Sequence, residues 1–180
     1  MKALLIVDVQ NDFCPGGALP APNGDRIIGK INELAKDFEV VLASRDEHPR
    51  KSEHFKKWPV HCVAGTEGAK FHPDLDTSKI EKELVKGTNS KDDGYSAFEA
   101  TNSNLSEYLK TKDVQEVYIT GLTTEHCVKN TAIDSSRKGF RTYVVTDAIA
   151  SVEPESDDEM EAFVEMKAAG VIMIKSVNIN

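Results

Sequence analysis

The sequence reads as one α/β domain, residues 1–180, with a mainly parallel sheet flanked by helices. Three observations point there. Nearly unbroken apolar runs, at Ala3 to Val9 and again from Val117, suit strands covered on both faces, as parallel sheets require. Stretches with apolar residues at helical spacing lie between such runs, and strands alternating with helices build parallel sheets. At 180 residues the chain can bury a substantial core but is short for two domains.

Taken in order, Ala3 to Val9 is the first strand, and it ends in the polar run Asp8-Val9-Gln10-Asn11-Asp12. Asn11 to Gly24 is rich in Gly, Pro and Asn and reads as loop. Ile27, Ile31, Leu34, Ala35 and Phe38 then recur at helical spacing, and Glu39 to Ser44 is the second strand. A long irregular segment runs from Arg45 to about Thr77 and holds four of the five histidines. Structureless segments of that length are uncommon and usually functional. Ile80 to Lys86 is a short helix or strand, Ser90 to Phe98 a polar loop with an aromatic end, and Leu105 to Leu109 a short helix.

The β-branched and aromatic run Val117-Tyr118-Ile119-Thr120 is a buried strand that Gly121 breaks. Thr124 suits the N-cap of a following helix, which would place Cys127 in its first turn. Gly139 fits the C′ position of that helix. Arg141 to Thr146 is another strand. Ser156-Asp157-Asp158-Glu159 has the capping-box pattern and opens a helix with Met160, Phe163, Val164 and Met166. Gly170 stops it, and Val171 to Ile174 is the last strand.

A net charge of -8 and the lack of a Lys/Arg run argue against nucleic acid or a membrane surface as partner. No apolar stretch approaches the roughly 18 residues of a spanning helix. The opening Met-Lys-Ala-Leu-Leu-Ile-Val has the look of a signal start, but Asp8, Gln10, Asn11 and Asp12 end the apolar run early, so the chain reads as cytoplasmic. Three cysteines at no zinc-finger spacing argue against a disulfide framework.

Ligands of open α/β sheets bind beyond the carboxyl ends of the strands. Asp8, Asp46, Lys86 and Cys127 all fall at such ends. At a helix N-terminus the Cys127 thiolate would be favoured, and free backbone N–H groups there could hold an oxyanion. Glu125 opposes that thiolate by like charge. Asp8 could take the thiol proton, and Lys86 could keep Asp8 ionised. Asp46-x-His48 with His54 and His61 forms a second cluster, whose carboxylate and imidazole donors suit zinc, manganese or iron(II). His72, in Phe71-His72-Pro73, reads as structural, and Phe13 and Trp58 offer aromatic walls.

These motifs resemble the nicotinamidase/pyrazinamidase family, cysteine amidohydrolases of the isochorismatase-like superfamily. The resemblance is carried by Asp8-Val9-Gln10-Asn11-Asp12-Phe13, Asp46-x-His48 with His54, and Trp58-Pro59-x-His61-Cys62-Val63. It continues through Gly65-Thr66-x-Gly68-Ala69, Lys86-Gly87, Asp93-Gly94-Tyr95-Ser96-Ala97-Phe98, and Gly121-Leu122 to Cys127-Val128. It implies a catalytic triad of Asp8, Lys86 and Cys127, with the N–H groups of Thr123 and Cys127 as oxyanion hole. It implies metal ligands Asp46, His48 and His54, with His61 a further or water-mediated ligand. The metal would be divalent, zinc first, with iron or manganese as alternatives.

Phe13, Trp58 and Tyr95 would form a ring pocket, and a cis peptide would fall at Leu122–Thr123. Thr123 departs from the family, which often has Ala there. The implied reaction converts nicotinamide, or pyrazinamide, to the acid and ammonia through a thioester, a step of NAD salvage. The partner would be a small carboxamide, and the chain could assemble into a homo-oligomer. Two rival readings are an amidase of the superfamily for a different small amide, and a non-catalytic metal or thiol-redox protein. The second leaves Asp8 and Lys86 without work.

Overall fold

The computed structural model describes residues 1–179. Six parallel strands form one sheet: β1 (Lys2–Val7), β2 (Val40–Asp46), β3 (Lys82–Lys86), β4 (Glu116–Leu122), β5 (Arg141–Ala150) and β6 (Ile172–Ile174), in the order β3-β2-β1-β4-β5-β6. Ala3 to Val7 are fully buried. Because side chains alternate across a strand, Leu4 and Ile6 enter one apolar layer while Ala3, Leu5 and Val7 enter the other. Helix α1 (Ile28–Ala35) closes the first layer through Ile28, Ile31, Leu34 and Ala35. The second is closed by α2 (Leu105–Thr111), α3 (Lys129–Arg137) and α4 (Asp157–Ala168), through Leu105 and Leu109, Ala132, and Met166. Each buried Leu or Ile contributes about 1.5–3 kcal/mol, which is why the unbroken apolar runs sit where they do. Among the described residues no helix is long and apolar enough to cross a membrane.

The chain winds outward from β1 through β2 to β3, returns to place β4 on the other side of β1, and winds outward again. The order therefore reverses between β1 and β4, and the crevice at their carboxyl ends is the natural ligand position in such a sheet. Asp8 directly follows β1, Asp46 and Lys86 close β2 and β3, and Cys127 follows β4.

Several local readings are corrected. Ile80 follows a 3-10 turn, Thr77–Lys79, and β3 begins only at Lys82. β5 runs on to Ala150 across a register shift opposite Ile119 and Gly121. Met160 and Val164 are 55% and 66% exposed, while Ala162 and Met166 are buried. Two positions along a helix turn through about 200°, so the two pairs cannot share a face, and the smaller Ala162 packs closer. The segment after β2 is not structureless. It carries one-turn helices at Glu53–Lys56 and Glu67–Ala69 and single bridges pairing His48 with Val63 and Gln10 with Phe71.

Candidate active site

The centre of the site is one buried cation among three acidic or thiol groups. Lys86 is fully buried, with Nζ 2.7 Å from Asp8 Oδ2, 2.6 Å from Asp46 Oδ1 and 3.4 Å from Cys127 Sγ. It also donates to the Gly94 carbonyl at 2.8 Å. Asp8 takes up a left-handed backbone conformation (φ 49°) as the chain leaves β1, and its Oδ1 accepts from Ser44 Oγ at 2.7 Å. Burial raises the Asp8 pKa, and Lys86 offsets this only in part. Burial works the same way on Asp46, but there the Lys86 charge, helped by the neighbouring His48, prevails and holds the carboxyl well below its usual range. Burial also pushes the Cys127 thiol well above its usual value, against the pull of Lys86. The arrangement thus favours a neutral thiol beside an acid that can take its proton, rather than a resting thiolate.

The turn that carries Cys127 is not an α-helical first turn capped by Thr124. Thr124–Val128 forms a π-helical turn ahead of α3, and the Thr124 hydroxyl is buried without a partner among the described residues. The residue in capping position is Thr123, in extended conformation after a cis peptide from Leu122. The Thr123 carbonyl accepts from the N–H groups of His126 and Val128, both at 3.1 Å, and passes over that of Cys127 between them. A π-turn widens the hydrogen-bonded loop, and such turns recur at functional sites because they release backbone groups from the helical ladder. Glu125 does not face the thiol as an opposing charge. Its Oε1 accepts from the N–H groups of Val152 and Glu153 at 2.7 and 3.2 Å, tying the turn to the chain after β5.

The second cluster is histidine-rich. One nitrogen from each of His48, His54 and His61 lies within 4.8 Å of the others. Each ring has its Nδ1 engaged: His48 with the Gly87 carbonyl at 3.0 Å, His54 with Asp92 Oδ1 at 2.9 Å, and His61 with the Pro59 carbonyl at 2.6 Å. Donation from Nδ1 fixes the tautomer that leaves Nε2 as a lone pair, which is how metal-binding histidines are prepared. His48 Nε2 is buried with no hydrogen-bond partner among the described residues, and Asp46 Oδ2 lies 3.5 Å from it. An orphaned buried acceptor beside a carboxylate and two further imidazoles fits a divalent metal. Burial, and then the neighbouring His48, push the His54 pKa down to about 4, so the ring is a neutral donor at neutral pH.

A cleft of about 330 Å³, counting its open mouth, connects the two clusters, and Phe13, Asp46, His54, Trp58, Tyr95 and Cys127 all line it. The three aromatic residues singled out from the sequence thus form walls between thiol and histidines. His72 lies apart, its backbone paired with Val9. Sequence reasoning missed His126, whose ring stands edge-on to Trp58 at 4.6 Å. It also missed Gln10, whose amide holds the Asp46 backbone from both sides (2.8 and 2.9 Å), and Asp92, which binds His54 and Tyr95. Gln10 lies inside the quoted motif and His126 beside Cys127, so adjacency was the only available signal for either.

A family model described as the isochorismatase domain matches residues 2–177. The nicotinamidase/pyrazinamidase of Mycobacterium tuberculosis is 41% identical, with 98% of this chain and 100% of that protein covered. A solved nicotinamidase/pyrazinamidase from Acinetobacter baumanii superposes with a TM-score of 0.92 at 35% identity, covering 98% of this chain and 97% of the other. A pyrazinamidase from Pyrococcus horikoshii, solved in complex with zinc, gives 0.87 at 40% identity over 97% and 98% of the two chains. The chain therefore belongs to the isochorismatase family and, within it, to the nicotinamidase/pyrazinamidase group.

Proposed function

We propose that this chain hydrolyses nicotinamide to nicotinate and ammonia, accepts pyrazinamide in the same way, and so serves NAD salvage. The observation that carries the reading is the cleft lined by Cys127 and Asp46 of the Lys86-centred cluster and by His54 and His61 of the three clustered imidazoles. A non-catalytic metal or thiol protein has no need of a fully buried Lys–Asp pair beside its thiol. The relatives named as nicotinamidases support the substrate class.

In this reading Cys127 Sγ attacks the amide carbon as Asp8 takes its proton. The oxyanion forms against the N–H groups of Thr123 and Cys127, a contribution of about 3–4 kcal/mol per donor in other enzymes. Asp8 then returns the proton to the amide nitrogen, which leaves as ammonia, and a thioester remains on Cys127. Water, deprotonated by Asp8, hydrolyses the thioester to the acid and frees the thiol. Lys86 stays protonated throughout, since Asp46 and Asp8 hold its pKa well above the usual value against the cost of burial.

Phe13, Trp58 and Tyr95 hold the ring and exclude water. Asp46, His48 and His54, joined by His61, would hold a divalent metal, with zinc the first choice given the zinc complex of the Pyrococcus horikoshii relative. Bound there, a metal supplies a Lewis-acid anchor for a pyridine-type ring nitrogen.

The test is kcat/KM for nicotinamide, pyrazinamide and benzamide, with and without metal. Benzamide has nearly the same shape but no ring nitrogen. Sites built around a polar contact reject analogues lacking it by up to about 10⁴-fold, and since a metal can keep a water instead, a loss of roughly 10²-fold is expected here. Pyrazinamide keeps the nitrogen and should be accepted. Chelation, or His48→Ala, should narrow the gap. Equal values for benzamide and nicotinamide in metal-loaded protein would rule out anchoring through the ring nitrogen.

A further inference from the structure

Asp92 lies outside every motif that the sequence drew attention to, on the loop between β3 and the turn at Ala97–Glu99. Its carboxylate nevertheless joins the histidine cluster to the ring pocket. Oδ1 accepts from His54 Nδ1 at 2.9 Å and from the Tyr95 hydroxyl at 2.5 Å, while Oδ2 pairs with Lys57 Nζ. The Tyr95 oxygen in turn accepts from Trp58 Nε1 at 3.0 Å. His54 and Trp58 sit one turn apart, the Trp58 N–H bonding to the His54 carbonyl at 3.2 Å. One helical turn is therefore tied to the same carboxylate twice, once through an imidazole and once through a phenol and an indole.

We infer that Asp92 is a positioning residue that couples metal loading at His54 to the setting of the Tyr95 and Trp58 walls of the substrate pocket. The coupling follows from shared acceptor capacity. A cation on His54 Nε2 draws electron density from the ring and makes Nδ1–H a stronger donor, so its bond to Oδ1 tightens. The Tyr95 hydroxyl competes for the same oxygen and must readjust, and Trp58 follows because its indole N–H is held by that hydroxyl. Ring contacts give the change a path into the cleft, with His54 5.3 Å from Tyr95 and Trp58 4.6 Å from His126. An exposed Lys–Asp pair alone would be worth little. Here the carboxylate is only 21% exposed and receives two further donors from the site. The inference rests on the proposed metal site, but not on the identity of the amide.

The chain has one tryptophan, Trp58, so its emission reports this wall alone. Metal-free wild type, Asp92→Ala and Tyr95→Phe are titrated with zinc, binding being read by competition with a chromophoric chelator and the pocket by tryptophan fluorescence. Wild type should show an emission change with the same midpoint as zinc binding. Asp92→Ala should bind zinc about 10–100-fold more weakly, as removal of such supporting carboxylates does elsewhere, and should lose the emission change at saturating zinc. Tyr95→Phe, which keeps the Asp92–His54 bond but removes its competitor, should bind zinc at least as tightly as wild type yet lose most of the emission change, with KM raised more than kcat is lowered.

If Asp92→Ala does not fold, Tyr95→Phe decides the matter alone. Wild-type affinity and emission response in Asp92→Ala, or a full response in Tyr95→Phe, would overturn the coupling. Zinc-linked emission that behaves as described in a protein inactive on nicotinamide would uphold the coupling and overturn the substrate reading instead.

Discussion

Replacing Lys86 by Met tests whether the site is an electrostatic unit rather than a set of adjacent residues. The side chain is fully buried, and its charge is the cation facing Asp8, which is fully buried, and Asp46, at 3% exposure. Methionine fills a similar volume without the charge. The two carboxylates would then share a dry space uncompensated, and breaking a buried ion pair costs about 3–5 kcal/mol. For a domain of this size each kcal/mol moves Tm by about 2–4 °C, so a loss of roughly 6–20 °C is expected in metal-free protein near neutral pH.

The penalty should also depend on pH in a defined direction. Without Lys86, burial raises both carboxyl pKa values above the unfolded value of about 3.9. The penalty is complete above the raised values and shrinks as pH falls through them, because a protonated carboxyl needs no cation. The gap between variant and wild type should therefore narrow on acidification, and Asp46→Asn in the Lys86→Met background should recover part of it. Thermal unfolding followed by circular dichroism over a pH series measures both effects. A loss of only about 0.5 kcal/mol, as for an ordinary surface substitution, or a gap that widens on acidification, would refute the reasoning.

Three further outcomes can be checked. Cys127→Ala should abolish turnover with the fold intact, whereas Cys14→Ala and Cys62→Ala, at buried sites outside the cleft lining, should keep it; acid-quenched wild type should carry a thioester by mass spectrometry. In the same assays Asp8→Asn should lose kcat with little change in KM and lose the acid limb of its pH profile, which in wild type is shifted upward from the ordinary aspartate range because burial raises this carboxyl; a change in KM alone would reassign Asp8 to binding. Gly121→Ala should fail to fold or lose more than about 4 kcal/mol. Its φ is +110° and an added Cβ would stand 2.0 Å from the Val7 carbonyl oxygen, a backbone atom of the central strand, so a soluble variant with wild-type Tm would contradict the β1–β4 packing.

The parts of this molecule that could be read in the sequence are those set by local chemistry. Apolar runs announced β1 and β4 because both faces of those strands are buried, and the polar residues ending them marked the site. Asp8, Asp46, Lys86 and Cys127 could be assembled because sheet topology brings strand ends together whatever lies between. The π-turn at Thr124–Val128 left no such trace, since the residues that suit an α-helical start suit it equally. Along α4 hydrophobicity alone did not mark the buried face: Met160 and Val164 are more hydrophobic than Ala162, yet Ala162 is buried with Met166 while they are exposed. Asp92 was invisible for a different reason. Its partners, His54, Lys57 and Tyr95, come from two separate segments, and nothing in the residues around Asp92 reveals that they meet.

The Lys86 cation at the centre of the buried cluster is carried by an edge strand of the sheet. β3 pairs with β2 alone, and its other edge is held by the loop at Thr101 and Asn102. There the Thr101 N–H donates to the Val85 carbonyl at 2.8 Å, and the Asn102 side chain accepts from the Val85 N–H at 2.9 Å and donates to the Glu83 carbonyl at 3.1 Å. A five-residue edge strand opens at a lower free energy than the strands behind it. Opening β3 would withdraw Lys86 and leave Asp8 and Cys127 without their counter-charge while the rest of the sheet stays paired. Heat inactivation of this enzyme would then run ahead of its melting, paced by the loop at Thr101 and Asn102, surface residues with no place in the chemistry.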